Sequence, residues 1–348
     1  MIISRTPYRV SFFGGGTDYP AWYRKEGGAV LSTTIDKYCY LSCRYLPPFF
    51  GVTHRIVWSH IETVSTMREI LHPAVREGLR YLGFSDARGV EIHHQGDLPA
   101  RSGIGSSSAF SVGLLNGLLA LRGQALDKRE LALKAIDLER NILKEVGGHQ
   151  DQVASAHGGL NIIRFRRDGE IVVEPLGVGK KIVDELEARL VLVYTGSSRL
   201  GPEEGSDFGA AAEPQKDTLR TMRRMVDEGA EALASGDLDA FGRLLHEGWL
   251  LKRSLSKGIS TSRVDSIYEA ALEGGATGGK LMGAGRAGFM LFYVPVERRE
   301  RLKKALSSFV WVPIAFDNTG STVIYDDRGD RPREDDPSRV GLPGVGLA

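Results

Sequence analysis

The sequence predicts an α+β protein built in two halves. Runs of β-branched and aromatic residues read as strands in both halves of the chain, and apolar residues at three- and four-residue steps read as helices among them. This mix of strand runs and helical runs is the pattern of an α+β fold. The length of 348 residues suits two domains, or one large domain with an appended half, and buries a core without disulfide staples.

The elements follow in order. Ile2–Phe13 reads as a strand that runs into Gly14-Gly15-Gly16, and a second β-rich stretch covers Gly28–Leu46. Met67, Ile70, Leu71, Val75, Leu79 and Leu82 predict a helix over Val64–Leu82. Val90-Glu-Ile-His-His94 alternates like a strand and leads into the loop Gly96–Ser107, then a small apolar helix from Ser108 to Leu121. Asp127 and Glu130 form a capping-box pattern for a second helix, Asp127–Val146, ended by Gly147-Gly148. Leu160–Arg166 and Glu170–Leu176 read as a hairpin around Asp168-Gly169.

The second half opens with a strand at Leu190–Tyr194. Leu200–Glu213 lacks apolar periodicity and reads as a mobile loop, and helices fill much of 215–275. Phe289–Val294, Trp311–Phe316 and Ser321–Tyr325 read as strands, with a helix near Val296–Ser308. The charged, then Gly/Pro-rich stretch after Asp326 reads as a weakly ordered tail. The expected division is an N-terminal lobe over 1–185, a C-terminal lobe over 186–325 and a tail over 326–348.

Composition narrows the function. With 45 basic and 44 acidic side chains the net charge is +1, which argues against general nucleic-acid or membrane-surface binding. The N-terminus carries arginines within its apolar stretch, and no apolar run approaches a membrane span, so a cytoplasmic protein with no membrane partner is expected. Cys39 and Cys43, four apart on a strand, share a face and read as reduced packing residues.

Four segments carry chemistry. Leu98-Pro-Ala-Arg-Ser-Gly-Ile-Gly-Ser-Ser-Ser-Ala109 follows a strand and opens a small-residue helix. Its glycines let backbone N–H groups converge on an anion, and the helix N-terminus favours phosphate. Ser106, Ser107 and Ser108 supply hydroxyls, one of which could reach a magnesium ion; the G-K-[ST] ending of a Walker loop is absent. The second segment, Thr6–Pro20, delivers Arg9 on a strand, then Gly14, Gly15, Gly16, Thr17 and Asp18, a carboxylate and a hydroxyl suited to sugar hydroxyls. The third, Gly274–Gly288, places many glycines before a buried strand, which suggests close approach to a ligand or to another loop. The fourth, Leu138–Gln152, holds Glu139 and Asp151, able to serve as metal ligand and as the carboxylate that orients a hydroxyl for phosphoryl transfer. His149 has no second histidine at ligand spacing and reads as a packed or hydrogen-bonded neighbour, and His93 and His94 alternate across a strand, so at most one faces any site and neither carries a role.

Taken together and in this order, the segments resemble the GHMP kinases, named for galactokinase, homoserine kinase, mevalonate kinase and phosphomevalonate kinase. Pro99–Ala109 is similar to that family's P-x3-G-[IL]-G-S-S-[AS] phosphate loop with one extra serine, and the resemblance runs from Met1 to Tyr325. Phe13-Gly-Gly-Gly-Thr-Asp-Tyr-Pro20 stands where galactokinases carry G-E-H-T-D. Gly148-His-Gln-Asp-Gln152 and Gly278-Gly-Lys-Leu-Met-Gly-Ala-Gly285 look like the bacterial sugar kinases acting on D-glycero-D-manno-heptose 7-phosphate, on the route to GDP-heptose and surface polysaccharides. Arg286 departs from the group, which continues with glycine.

The resemblance implies a two-lobed fold with the active site in the cleft, ATP and Mg²⁺ as cofactors, and a small sugar phosphate as partner. It implies that Ser102, Gly103, Ile104, Gly105, Ser106, Ser107 and Ser108 wrap the ATP phosphates, and that Ser108 (or Ser107) with Glu139 holds Mg²⁺. Asp151 would be the base or positioning carboxylate and Arg9 would stabilise charge. Gly15, Gly16, Thr17 and Asp18 would bind the sugar. Arg199, Arg164 and Lys280 are candidates for the sugar's own phosphate, and a homodimer is the expected form of any self-association. The alternatives are a kinase for another sugar (fucose, galactose or a heptose 1-phosphate), or a non-catalytic ATP/sugar sensor; the sensor reading is opposed by the presence of both carboxylates.

Overall fold

The computed structural model describes residues 1–196, 213–256 and 258–327. Strand β1 (Ile2–Phe13) leads through the glycine turn to α1 (Pro20–Glu26), β2 (Gly28–Tyr45), the hairpin β3 (His54–Val57)/β4 (Ile61–Val64), α2 (Pro73–Tyr81) and β5 (Val90–Gly96). Then come α3 (Ser106–Leu121), α4 (Lys128–Ile136), a π-helical turn over Asp137–Ile142, α5 (Gln150–His157), β6 (Asn161–Phe165) and β7 (Ile171–Pro175). The second half holds α6 (Lys180–Arg189), β8 (Leu190–Tyr194), α7 (Glu213–Ser235), α8 (Leu238–Ser254), α9 (Ser262–Glu273), β9 (Gly278–Leu281), β10 (Phe289–Tyr293), α10 (Arg299–Ala305), β11 (Val310–Val312), β12 (Phe316–Asp317) and β13 (Thr322–Asp326).

Among the described residues, one sheet runs β13-β1-β2-β5-β3-β4, with β12 and the β6–β7 hairpin attached through β2. The 18-residue β2 can serve so many partners because different stretches of it pair with β6, β12 and β5. Helix α3 is apolar on all sides, so it becomes the buried centre of the first half, packed on β1 and β2. The second sheet, β11-β8-β10-β9, belongs to the second half. The sheet changes at β8, and β12 and β13 return to the first sheet. Local sequence sets that these residues are strands; which sheet they join is decided by long-range pairing, here Ile2 with Asp326 and Ile3 with Tyr325.

The two halves share a core. Phe241 of α8 meets the rings of Phe12 and Phe13 edge-on, each at 5.2 Å, so the end of β1 is clamped from the second half. Cys39 and Cys43 are fully buried and unpaired, and burial pushes the Cys43 thiol up to about 12. The expected helix over Val64–Leu82 is shorter, because Pro73 starts it, and the hairpin 54–64 precedes it. The expected loop over 200–213 and the tail after Asp326 fall almost wholly outside the described residues. No helix among the described residues is long and apolar enough to cross a membrane.

Candidate active site

β1 is irregular where it matters. Its register against β2 shifts between Pro7 and Arg9 and again between Ser11 and Phe13, so Arg9 and Ser11 sit on a short stretch between two bulges. Bulges re-aim side chains beside functional sites. Arg9 is buried and forked: Nε donates to Asp151 Oδ1 at 2.6 Å, one terminal nitrogen to Asp151 Oδ2 at 2.7 Å and the other to the Gly103 carbonyl at 2.7 Å. One guanidinium therefore ties the acidic residue to the glycine loop, and the planar two-point pairing fixes the carboxylate's orientation.

Asp151 lies in the first turn of α5, a helix the sequence reading placed only as residues beyond a glycine end. The chain enters α5 through Gly148 and His149, and both ends of this entry are pinned on Asp18. His149 N–H donates to the Asp18 carbonyl and Gln150 N–H to the Asp18 Oδ2 (3.2 Å), while Gly16 N–H donates to Oδ1 (3.0 Å). Burial, with the neighbouring Asp151 adding to it, raises the Asp18 carboxyl above its ordinary value. Thr17 is fully buried and its hydroxyl is engaged with the Gly14 carbonyl and the Ala29 backbone, so it clips the turn together and leaves Asp18 as the side chain of this segment that faces Asp151.

The loop before α3 has the geometry of an anion cradle. Gly103 and Gly105 take positive φ (85° and 72°), and Gly105 caps α3 without a side-chain acceptor. The first-turn N–H groups of Ser106, Ser107 and Ser108 have no acceptor within the helix. Ser102 is buried with its hydroxyl on the Pro99 carbonyl, Ser106 Oγ accepts from Arg101 N–H, and the Ile104 carbonyl accepts from Arg9 N–H. Ser108 alone of the three turns inward. Its Oγ donates to Glu139 Oε2 at 3.1 Å, whereas Ser107 is exposed.

Glu139 sits in the π-helical turn, where the extra residue per turn changes the phase of α4; the expected uninterrupted helix to Val146 is replaced by α4 ending at Ile136 and this turn. The carboxylate is 1% exposed. Oε2 accepts from Ser108 and from Gln152 Nε2 (2.6 Å), while Oε1 has no hydrogen-bond partner among the described residues. Burial raises Glu139 to about 7, with nearby Arg140 acting against the rise. A buried carboxylate oxygen left open beside a serine hydroxyl, next to a phosphate cradle, fits Mg²⁺, which takes one or two protein oxygens and completes its shell with phosphate and water.

The third glycine-rich segment approaches another loop. A Cβ at Gly103 would run into the Met282 carbonyl, and Phe289 N–H donates to the Ser102 carbonyl at 3.0 Å. Part of that segment is itself a strand, β9, and Arg286 holds the left-handed φ of 69° that glycine adopts more readily. Lys280 is buried with Nζ on the Phe12 carbonyl at 2.6 Å, and Arg164 is paired with Glu174 and Asp227. Both are thus committed within the protein, and Arg199 lies outside the described residues.

Sequence reasoning missed an aromatic chain one turn along α3. Phe110 stacks on His72 at 4.7 Å, and His72 meets Trp58 edge-on at 4.8 Å. Burial lowers His72 to about 4, so the ring is neutral near pH 7. No local pattern links residues 58, 72 and 110. A separate cavity of about 1010 Å³ lies at the far end of α5, lined by Val153, His157, Leu160 and Phe316, and holds none of these groups.

The family models for the GHMP kinases N terminal domain and the GHMP kinases C terminal match residues 68–159 and 230–310. A D-glycero-alpha-D-manno-heptose 7-phosphate kinase of Campylobacter jejuni is 30% identical over 325 residues, 88% of this chain and 93% of that protein. A bifunctional fucokinase/GDP-fucose pyrophosphorylase of Arabidopsis thaliana is 28% identical over 86% of this chain and 30% of its own length. The crystal structure of a D-glycero-D-manno-heptose 1-phosphate kinase from Bacteroides thetaiotaomicron superposes with a TM-score of 0.77 at 26% identity, covering 94% of this chain and 100% of that one.

Proposed function

The chain belongs to the GHMP kinase family, and we propose that it is an ATP-dependent sugar kinase acting on the anomeric hydroxyl of D-glycero-D-manno-heptose 7-phosphate to give the 1,7-bisphosphate. The observation that carries this reading is the fork of Arg9, which holds the Asp151 carboxylate against the glycine loop that opens α3. A carboxylate so held is placed to receive a sugar hydroxyl on one side of a phosphate cradle.

In this reading the Gly103–Ser108 backbone binds the ATP phosphates, and the Trp58–His72–Phe110 aromatic chain takes the base. Ser108 and Glu139 hold Mg²⁺, whose charge offsets the negative charge of the transferring phosphoryl group. Asp151 orients the anomeric hydroxyl and accepts its proton, and Arg9 keeps the carboxylate in line and adds positive charge at the reacting oxygen. An anomeric hydroxyl is more acidic than an ordinary alcohol, so a carboxylate suffices as base. Asp18, held by two backbone N–H groups, presents its buried carboxyl to sugar hydroxyls beside Asp151. The heptose assignment is supported by the Campylobacter jejuni heptose 7-phosphate kinase, which is 30% identical over 88% of this chain. The fucokinase similarity makes fucose the second substrate to test. Turnover of a panel of sugars and sugar phosphates with ATP tests the proposal.

A further inference from the structure

Gly14, Gly15 and Gly16 are not glycines for the same reason. Gly14 and Gly16 adopt positive φ (82° and 98°), and a Cβ at Gly14 would strike the Ala29 carbonyl. Gly15 has no left-handed φ, and it is partly exposed between its two buried neighbours. A methyl group there would stand 3.9 Å from Gln150 Nε2 and 4.0 Å from Ser11 Oγ, with no other atom of the described residues beyond its chain neighbours within 4 Å. Neither backbone nor packing demands glycine, so the missing side chain leaves a notch about one methyl wide between Ser11 and Gln150.

The two groups flanking the notch are polar and incompletely satisfied. Ser11 is 7% exposed, and its Oγ has no hydrogen-bond partner among the described residues. It lies two residues after Arg9 between the bulges of β1, so its side chain shares Arg9's face. Gln150 adjoins Asp151, its N–H is tied to Asp18, and its Oε1 is likewise buried without a partner among the described residues. Buried unpaired groups are unfavourable, and one on each of the two residues that flank the notch asks for a ligand that supplies both a donor and an acceptor.

Resting on the sugar-kinase reading, we propose that Ser11 and Gln150 form the neutral end of the sugar subsite. A hydroxyl-bearing part of the acceptor enters the notch at Gly15, and the acceptor's phosphate lies elsewhere. The charges fit a hydroxyl and oppose a phosphate. Asp18 and Asp151 are both carboxylates beside the notch, and Arg9 and Lys280, two cations among the described residues at this end of β1, are already tied to Asp151, Gly103 and the Phe12 carbonyl. A hydroxyl can donate to one flanking group and accept from the other; a phosphate cannot donate and would face two carboxylates.

The test measures sugar affinity by calorimetry, with a non-hydrolysable ATP analogue present, for wild type, Ser11→Ala and Gly15→Ala. The probes are D-glycero-D-manno-heptose with and without its 7-phosphate, and ATP turnover and melting temperature are followed in parallel. Ser11→Ala should weaken both sugars by the same factor, about five- to tenfold, with nucleotide affinity unchanged. Gly15→Ala should weaken them at least as much while its melting temperature holds or rises, because alanine is tolerated there and restricts the unfolded chain. Affinities within about twofold of wild type in both variants overturn the proposal, as does a Ser11→Ala loss confined to the 7-phosphate. A wild type that binds sugar without consuming ATP overturns the kinase reading instead, while the affinity ratios still decide the notch. A wild type that binds neither sugar overturns the notch.

Discussion

Replacing Lys280 with methionine should change how stability depends on pH, by an amount set by the lysine's position. The ammonium is buried at β9, donates to the Phe12 carbonyl and lies near the Arg9 guanidinium. Burial chiefly, and Arg9 secondarily, lower Lys280 from 10.5 to about 7. In the window between those values the unfolded chain binds more protons than the folded one, so stability rises with pH. The penalty for the buried charge is fully present below about pH 7 and vanishes as pH approaches the unfolded value of about 10.4. One proton amounts to ~1.4 kcal/mol per pH unit, and partial titration near the lower limit reduces the gain between about pH 7 and about pH 9 to ~2 kcal/mol. The raised thiols of Cys39 and Cys43 act in the opposite sense at alkaline pH, because the unfolded chain loses those protons first. The reading is therefore the difference between wild type and Lys280→Met, in which the thiol contributions cancel. Urea unfolding at three pH values supplies it. The wild-type curve should climb relative to the variant by ~2 kcal/mol across the window. Parallel curves would mean that Lys280 is ionised at little penalty and would refute the reasoning.

The active-site predictions are more direct. Asp151→Asn keeps the shape of the Arg9 contact but removes the proton acceptor, so turnover should fall by about 10² to 10⁴ with ATP affinity close to wild type; equal loss of both would make Asp151 structural. Glu139→Gln should raise the magnesium concentration for half-maximal turnover at least about tenfold, read from a magnesium titration, and an unchanged titration would remove Glu139 from the metal site. At Gly148 an added methyl would run into the Asp18 carboxylate, so Gly148→Ala should weaken sugar binding and lower stability by about 1–3 kcal/mol while sparing nucleotide binding. A wild-type sugar affinity in that variant would detach Asp18 from the sugar.

Much of this arrangement is legible in the sequence, and the exceptions have physical causes. The strand–glycine–helix order of 90–121 is local, and it forms with Gly103 and Gly105 at the positive φ that makes them glycines. The Asp127–Glu130 capping box is local too, and both of its hydrogen bonds form. Glu139 and Asp151 stand out as a pair, but the π-helical turn that directs Glu139 to Ser108 leaves no periodic mark, because it shifts phase by a single residue. The joining of β13 to β1 and the burial of Lys280 on Phe12 depend on contacts hundreds of residues apart. The difference among three adjacent glycines is not written in their own sequence either. Only the neighbours of Gly15, brought from β1 and α5, show that a side chain would be tolerated there.

The central claim is that Asp151, held by Arg9, delivers an anomeric sugar hydroxyl to ATP. The most direct measurement is ATP consumption coupled to product mass, with D-glycero-D-manno-heptose 7-phosphate beside galactose, fucose and mannose. The account predicts a heptose bisphosphate that loses one phosphate readily in acid, as an anomeric phosphate does, formed about 10² to 10⁴ times more slowly by Asp151→Asn. A bisphosphate stable to acid, or wild-type yield from that variant, would contradict it.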